Sequence, residues 1–433
     1  MELGQHEKVQ EYLNAVCFQI KCREVHGQIR LELLGHMEER VEELKLANVP
    51  EEEAVNKAIG QMGDAFSLGK QLHQAHKPRI EWSLLALIGS FVGIGLLTLL
   101  SIERYGLFRE KSLSLFPNSL VWLSLGLIVA VGINCLDYRK IRRFSMYLYA
   151  GTLLVWLFVL QFGPVYNGKR FLNLFLVQID FIGITPFLLI VALAGIFSRW
   201  NWDQRGWFVK AFILYVVPCL FFSHGSMYFW GNILYTAAFL ILILFAGAGI
   251  LRAFSVLVAP ISVFLLNIFQ EPYMMARILA FINAYKDPQG AGYIYVQSIE
   301  AIRSAGFWGQ GFTFPANNIP LFHTELIFTY IVYTFGWIAG LIIFSLAVAT
   351  VIRMTGVAMQ VKEQYGRLLV IGLTGIFAVQ FFWNILMTLG FAPISGFNLP
   401  FISYGGSQLI IQLAAMGLIL SVYRRKDMVA IYK

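Results

Sequence analysis

The sequence predicts an all-α, polytopic membrane protein of about ten transmembrane helices. A large extracellular loop separates spans 7 and 8, and a small cytoplasmic helical domain precedes the first span. Three observations lead there. Of the 433 residues, 58% are hydrophobic and only 13% charged, whereas about a quarter of a soluble domain is charged. Apolar runs such as Trp82 to Ile102 recur to the C-terminus, each near the ~20 residues a helix needs to cross ~30 Å of hydrocarbon. The first eighty residues are polar and carry no such run.

The leading segment, residues 1–78, reads as a three-helix domain. Val9, Tyr12, Leu13 and Val16 have helical spacing, as do Ile29, Leu33, Leu34, Met37 and Val41. Pro50 followed by Glu51, Glu52 and Glu53 suits a third helix start, where proline and acidic side chains complement the helix dipole. Gly63-Asp64 reads as a helix stop. His76–Arg79 is cationic just before the first span, which places this domain in the cytoplasm. No apolar signal region is expected ahead of it.

Residues 79–433 carry spans near 82–102, 119–137, 144–162, 180–198, 206–222, 229–249, 254–276, 322–349, 368–389 and 404–423. With the N-terminus inside, the inner loops hold Arg139, Lys140, Arg142, Arg143, Arg199, Arg205, Arg252, Arg353, Lys362 and Arg367, and the tail holds Arg424, Arg425 and Lys426. Cations also sit in outer loops, at Arg104, Arg109, Lys111, Lys169 and Arg170. Both termini are expected in the cytoplasm, which an even span count requires. The net charge of +8 is spread over these short loops rather than one basic face, so nucleic acid is excluded as a partner and membrane lipid is implied. Cys17, Cys22, Cys135 and Cys219 form no CxxC pattern and read as idle thiols.

The connection from Leu279 to Leu321 is long enough to imply function. It mixes Gly290, Gly292, Gly306, Gly309 and Gly311 with Tyr293, Tyr295, Phe307 and Trp308, which suggests an ordered surface. Ionisable residues near the spans are few: Asp180, His224, Glu271, His323 and Glu325. All fall near the outer ends, away from the midplane where transporter sites lie; interfacial solvation accounts for each equally well. Asp287 lies in Lys286-Asp287-Pro288-Gln289-Gly290, which by itself is ordinary turn chemistry. Its neighbours Arg277, Lys286 and Arg303 suit an anionic substrate, and a carboxylate beside them suits a general base acting on a hydroxyl. From Gln380 and Asn384 the chain runs into Pro393-Ile394-Ser395-Gly396-Phe397-Asn398-Leu399-Pro400-Phe401-Ile402-Ser403-Tyr404-Gly405-Gly406-Ser407. Such non-helical backbone beside an apolar span is tolerated where it is buried or lines a cavity.

This C-terminal run closely resembles the signature of the SEDS family, the rod-shape, division and sporulation polymerases of RodA, FtsW and SpoVE type. Further matches are Asp287-Pro288-x-Gly290-x-Gly292-Tyr293, Gln297-Ser298, Ala301, Gly306, Gly309-Gln310-Gly311, His323-Thr324 and the basic run Asn167-Gly168-Lys169-Arg170. The resemblance covers residues 80–433, most strongly from 277 onward. It implies polymerisation of lipid II into peptidoglycan at the outer face of the membrane, with a class B penicillin-binding protein as partner. It implies Asp287 as the catalytic carboxylate. It implies Lys169, Arg170, Arg277, Lys286, Arg303, His323, Glu325, Gln380, Asn384, Ser403 and Tyr404 as substrate-binding. A divalent cation, Mg2+ or Mn2+, is implied as an aid at the diphosphate, with no residue assigned as its ligand and no other cofactor.

Four positions depart from the family pattern. The glutamate pair of the eighth span is Tyr333-Thr334 here, and the aspartate after His-Thr is Glu325. Gln-Pro-Ser-Glu looks like Gln178-Ile179-Asp180-Phe181. Pro-Asp-Leu-Gly is absent, with Ser223-His224-Gly225 in that region. These departures leave two other readings: a catalytically weakened scaffold for a penicillin-binding protein, and a transporter of a lipid-linked precursor. The first domain resembles the helical prefix found ahead of some bacterial permeases, through Ile29, Glu32, Leu33, His36, Glu39, Glu53-Ala54, Ala58, Met62-Gly63-Asp64 and Leu68. That resemblance implies cytoplasmic protein contact or regulation.

Overall fold

A computed structural model of the chain describes residues 3–21, 23–75, 79–105, 114–166, 169–174, 177–223, 229–258, 272–312 and 321–427. The chain divides into two compact units, residues 1–80 with 423–433 and residues 81–422.

The first unit contains α1 (Glu7–Gln19), α2 (His26–Leu46), α3 (Glu51–Gln61) and α4 (Ala65–Ala75). Its core joins Val9, Leu13 and Val16 of α1 to Ile29, Leu33, Met37 and Val41 of α2 and to Ala54, Val55 and Ala58 of α3. These are the helical stripes legible in the sequence. Where three helices are expected, the unit forms four. Gly63 turns the chain at φ 83°. The Asp64 side chain then accepts the Ser67 N–H at 2.8 Å, so the stop signal is also the N-cap of α4.

The second unit begins with α5 (Trp82–Tyr105), α6 (Leu115–Cys135), the single turn α7 (Arg139–Arg142) and α8 (Ser145–Phe162). It continues through α9 (Phe181–Phe197), α10 (Trp207–Ser223) and α11 (Phe229–Phe245). After residue 271 come α12 (Pro272–Ile282), α13 (Tyr293–Ser304), α14 (Ile327–Gln360), α15 (Gln364–Thr388) and α16 (Gly406–Arg424). Among the described residues six helices, α5, α6, α8, α14, α15 and α16, are long and apolar enough to cross a membrane, and α9, α10 and α11 are shorter apolar helices. The chain is a multi-pass membrane protein. Nine of the ten expected spans coincide with these helices. The seventh, 254–276, lies mostly outside the described residues, as do Cys22, His76, Lys77, Arg109, Lys111, Asn167, Gly168, His224 and Glu271.

Two short hairpins interrupt the helical pattern between α8 and α9. β1 (Val165–Tyr166) pairs with β2 (Lys169–Arg170), and β3 (Leu172–Leu174) with β4 (Val177–Ile179), both antiparallel. α15 packs against α14, α11 and α9 and is the most buried of the long apolar helices.

Backbone groups inside an apolar bundle need partners from the protein itself. Pro218 in α10 has no N–H to give to the Leu214 carbonyl. The hydroxyls of Tyr149 and Tyr235 donate to that carbonyl instead, at 3.0 and 2.7 Å. A larger break lies in α14, where Gly336 has φ 85° and ψ 174°. The loop after α13 inserts its backbone into the gap. Gln310 and Gly311 N–H donate to the Tyr333 and Thr334 carbonyls at 2.8 and 3.2 Å, and Trp337 and Ile338 N–H donate to the Gly306 and Phe307 carbonyls at 3.1 and 3.4 Å. Four groups freed by the break are thus paired. Tyr333 and Thr334, where the resemblance would place glutamates, contribute here through their carbonyls.

Candidate functional site

The segment between α15 and α16 is non-helical and tied down by side chains. Asn384, fully buried in α15, donates to the Glu325 carbonyl at 2.8 Å and to the Phe397 carbonyl at 2.6 Å. The Ser403 hydroxyl donates to the Thr324 carbonyl at 2.7 Å and accepts the Leu399 N–H at 2.8 Å. Tyr404 N–H donates to the His323 carbonyl at 2.9 Å, and the two rings lie 6.1 Å apart. Of the residues the resemblance marks as substrate-binding, Asn384 and Ser403 therefore commit polar side-chain atoms to the backbone, and Tyr404 its N–H. Burial lowers the His323 imidazole from its ordinary value. Asn384→Leu should leave two buried carbonyls unpaired, at about 1–3 kcal/mol each. Thermal unfolding of the detergent-solubilised protein is expected to show it as a lowered midpoint.

These ties shape a cavity of about 120 Å³ bounded by α9, α10, α11, α15, Arg277 of α12 and the loop residues Ser395 to Asn398. Lys169 and Arg277 bring positive charge to it, Asp180 and Glu325 negative charge, and Gln380, Asn398 and Gln408 amides. Pairing of Lys169 with Tyr166 in the β1–β2 hairpin explains why one of two adjacent cations reaches the cavity. Neighbouring side chains on a strand point to opposite faces; Arg170 turns back to the Gly163 carbonyl at 3.3 Å. Asp180 is the N-cap of α9, its carboxylate accepting the Gly183 N–H at 2.9 Å. Its own N–H donates to the Ser407 hydroxyl at 3.3 Å. Pro186 cannot donate to the carbonyl of Ile182, and both line the cavity. Asn398 and Gln408 were not singled out individually. The signal for Gln408 is an amide in the first turn of a largely apolar helix.

The described residues of the expected long loop, 279–312 and 321, carry α13 at their centre. Asp287 lies in an exposed turn just before it, and its carboxylate accepts the N–H groups of Gly290 and Ala291, each at 3.0 Å. Glycine is required at two positions by close approach. A Cβ at Gly290 would lie 2.1 Å from Asp287 Oδ2, and one at Gly292 would lie 2.1 Å from the Ala284 carbonyl oxygen. The turn is fixed to the cavity wall through Ala284, Tyr295 and Ile394, which form one apolar cluster. Tyr295 also accepts the Ile394 N–H at 2.9 Å. Burial raises the Tyr295 phenol above its usual value, so it stays protonated. Ser298 bonds Thr329 at 2.7 Å and the Thr388 carbonyl at 3.2 Å, fixing α13 to α14 and α15.

The cavity thus unites Lys169, Arg277, Glu325 and Gln380 of the expected set, with Asp180. Asp287, Lys286 and Arg303 are exposed and are not among the residues lining it. Arg303 sits in the last turn of the 12-residue α13, about 15 Å along the axis from its start, which separates it from the Asp287 turn. The donor set does not form a dedicated divalent-metal site. Among the described residues no three His, Cys, Asp or Glu side chains come together, and the two cavity carboxylates share their space with two cations.

Among curated relatives, the probable peptidoglycan glycosyltransferase FtsW of Trichlorobacter lovleyi is 29% identical over 70% of this chain and 82% of its own length. The peptidoglycan glycosyltransferase MrdB of Escherichia coli is 26% identical over 74% of this chain and 88% of its own length. A chain from a peptidoglycan synthase complex that coordinates polymerization and crosslinking superposes with a TM-score of 0.66 at 24% identity, covering 80% of this chain and 98% of that one. The rod shape determining protein RodA of Thermus thermophilus gives 0.60 at 21% identity, over 80% and 97%. At these identities the structural likeness is one of fold. The family model of the FtsW, RodA and SpoVE cell cycle proteins matches residues 78–428. The chain belongs to that family.

Proposed function

We propose that the protein is a peptidoglycan glycosyltransferase that polymerises lipid II at the outer face of the cytoplasmic membrane, with both termini in the cytoplasm. The observation that carries this reading is the cavity holding Lys169 and Arg277 beside two carboxylates, walled by the segment on which the Asp287 turn packs. The two cations take the diphosphate of the lipid-linked donor; Arg277 offers a forked donor set and Lys169 a point charge. Asp287 removes the proton from the acceptor sugar hydroxyl. The hydroxyl oxygen bonds to the donor's anomeric carbon as the bond from that carbon to the diphosphate oxygen breaks, and the lipid diphosphate leaves with the electron pair. The named activities of the relatives support this chemistry over a scaffold or transporter role. A class B penicillin-binding protein is the partner, supported by the crosslinking function of the complex that holds the structural neighbour. The 1–78 domain is proposed as the cytoplasmic regulatory part.

The test is glycan polymer formed from lipid II by the purified protein with its partner. Lys169→Met is expected to raise KM for lipid II about tenfold, the scale of one charge-assisted hydrogen bond, with folding unchanged. Polymer formation with an unaltered KM would exclude Lys169 from the site.

A further inference from the structure

We propose that Gln380 and Glu325 form a subsite for the N-acetylated sugar ring of the lipid-linked substrate, separate from the diphosphate site at Lys169. The proposal rests on the glycosyltransferase reading above and assigns one wall of its cavity. Gln380 is 5% exposed and lines the cavity, yet its Oε1 is buried without a hydrogen-bond partner among the described residues; Glu325 Oε2 is in the same condition. Unpaired buried acceptors are costly, and two on residues that line one cavity call for a ligand that supplies donors.

The contrast with Asn384 sharpens this. Four residues on from Gln380 and on the same face of α15, Asn384 spends its amide N–H groups on the Glu325 and Phe397 carbonyls. Asn384 Oδ1 is likewise buried without a partner among the described residues, but Asn384 does not line the cavity, whereas Gln380 does. The acceptor pair also selects the ligand's chemistry. A phosphate oxygen set against a carboxylate and an amide oxygen is repelled. Sugar hydroxyls donate to Glu325 Oε2, and a secondary amide matches the paired donor and acceptor of the Gln380 carboxamide.

The two subsites adjoin. A Cβ at Gly396 would lie 3.3 Å from Glu325 Oε1 and 4.0 Å from Lys169 Nζ, so carboxylate and ammonium flank one glycine. In a diphosphate-linked N-acetyl sugar, the phosphate-bearing and acetamido-bearing carbons are likewise adjacent.

The test is binding to the full chain in lipid nanodiscs, with two probes: lipid II, and the same polyprenyl diphosphate without sugar. Gln380→Met is expected to weaken lipid II binding roughly 10- to 100-fold while diphosphate binding stays within about threefold; Lys169→Met weakens both. A Gln380→Met protein that loses both probes equally, or neither, overturns the subsite. Wild-type protein that binds neither probe overturns the glycosyltransferase reading and the subsite with it. A measurement on the unaltered chain guards against a misfolded variant. A polyprenyl diphosphate carrying a sugar with a 2-hydroxyl in place of the acetamido group should bind about tenfold more weakly than its N-acetylated counterpart, and equal affinity would overturn the proposal.

Discussion

Asp287→Asn is expected to lower glycan polymerisation by roughly 10²- to 10⁴-fold, the range for losing a general base, without lowering the folded yield. The substitution preserves shape. One side-chain oxygen still accepts from Gly290 or Ala291, and the bond that is lost lies on an exposed turn, where water replaces it. What disappears is the ability to take a proton. Gly290→Ala tests the same point by position rather than charge. Its Cβ would sit 2.1 Å from Asp287 Oδ2, so the carboxylate must swing away, and activity should fall although the base remains. Polymer assays with the partner present, paired with thermal unfolding of each variant, separate the two effects. Undiminished polymer from Asp287→Asn would sink the role assigned to this carboxylate.

The second large effect is on folding. Gly336→Ala should remove most of the protein from its folded, monodisperse detergent-soluble form. At φ 85° and ψ 174° the backbone occupies a region open essentially to glycine, and strain there costs on the order of 1–3 kcal/mol. The added Cβ would lie 2.0 Å from the Phe307 carbonyl oxygen and 2.6 Å from the Gly309 nitrogen. Both are backbone atoms of the inserted loop, so no side-chain rotation relieves the contact. Expelling the loop unpairs the groups of Tyr333, Thr334, Trp337 and Ile338, each costing about 1–3 kcal/mol when buried. Size-exclusion profiles and unfolding midpoints read the result directly. A Gly336→Ala protein with a wild-type profile would show that the break is not required.

The spans were legible because the signal is local. An apolar run fixes its own helix, and the run from Trp82 appears as Trp82–Tyr105 and the expected 368–389 as Gln364–Thr388. The stripes of the first unit were legible for the same reason. Its fourth helix was not, because Gly63-Asp64 signals a stop and a start with the same two residues. At the site, the sequence marked Lys169 and Arg170 alike, and Gln380 and Asn384 alike. Hairpin pairing sends only Lys169 to the cavity, and helix packing spends Asn384 on the backbone while leaving Gln380 in the space. The sequence marks Ser403 and Tyr404 as substrate-binding through the resemblance; that the Ser403 hydroxyl and the Tyr404 N–H also bond the His323-Thr324 backbone is visible only in the fold.

By itself the sequence determined that this chain spans a membrane many times, that its first eighty residues stand apart in character, and that its Asp287 loop and Pro393 to Ser407 run resemble one family. Those are properties of composition, periodicity and contiguous motif. Only the tertiary structure decided which of two adjacent cations lines the cavity with Glu325, and that the loop at Gly306 to Gly311 repairs the break at Gly336. These outcomes depend on partners far away in sequence. Their pairing follows from the need to satisfy every buried backbone group, a condition met by the whole fold and by no single segment.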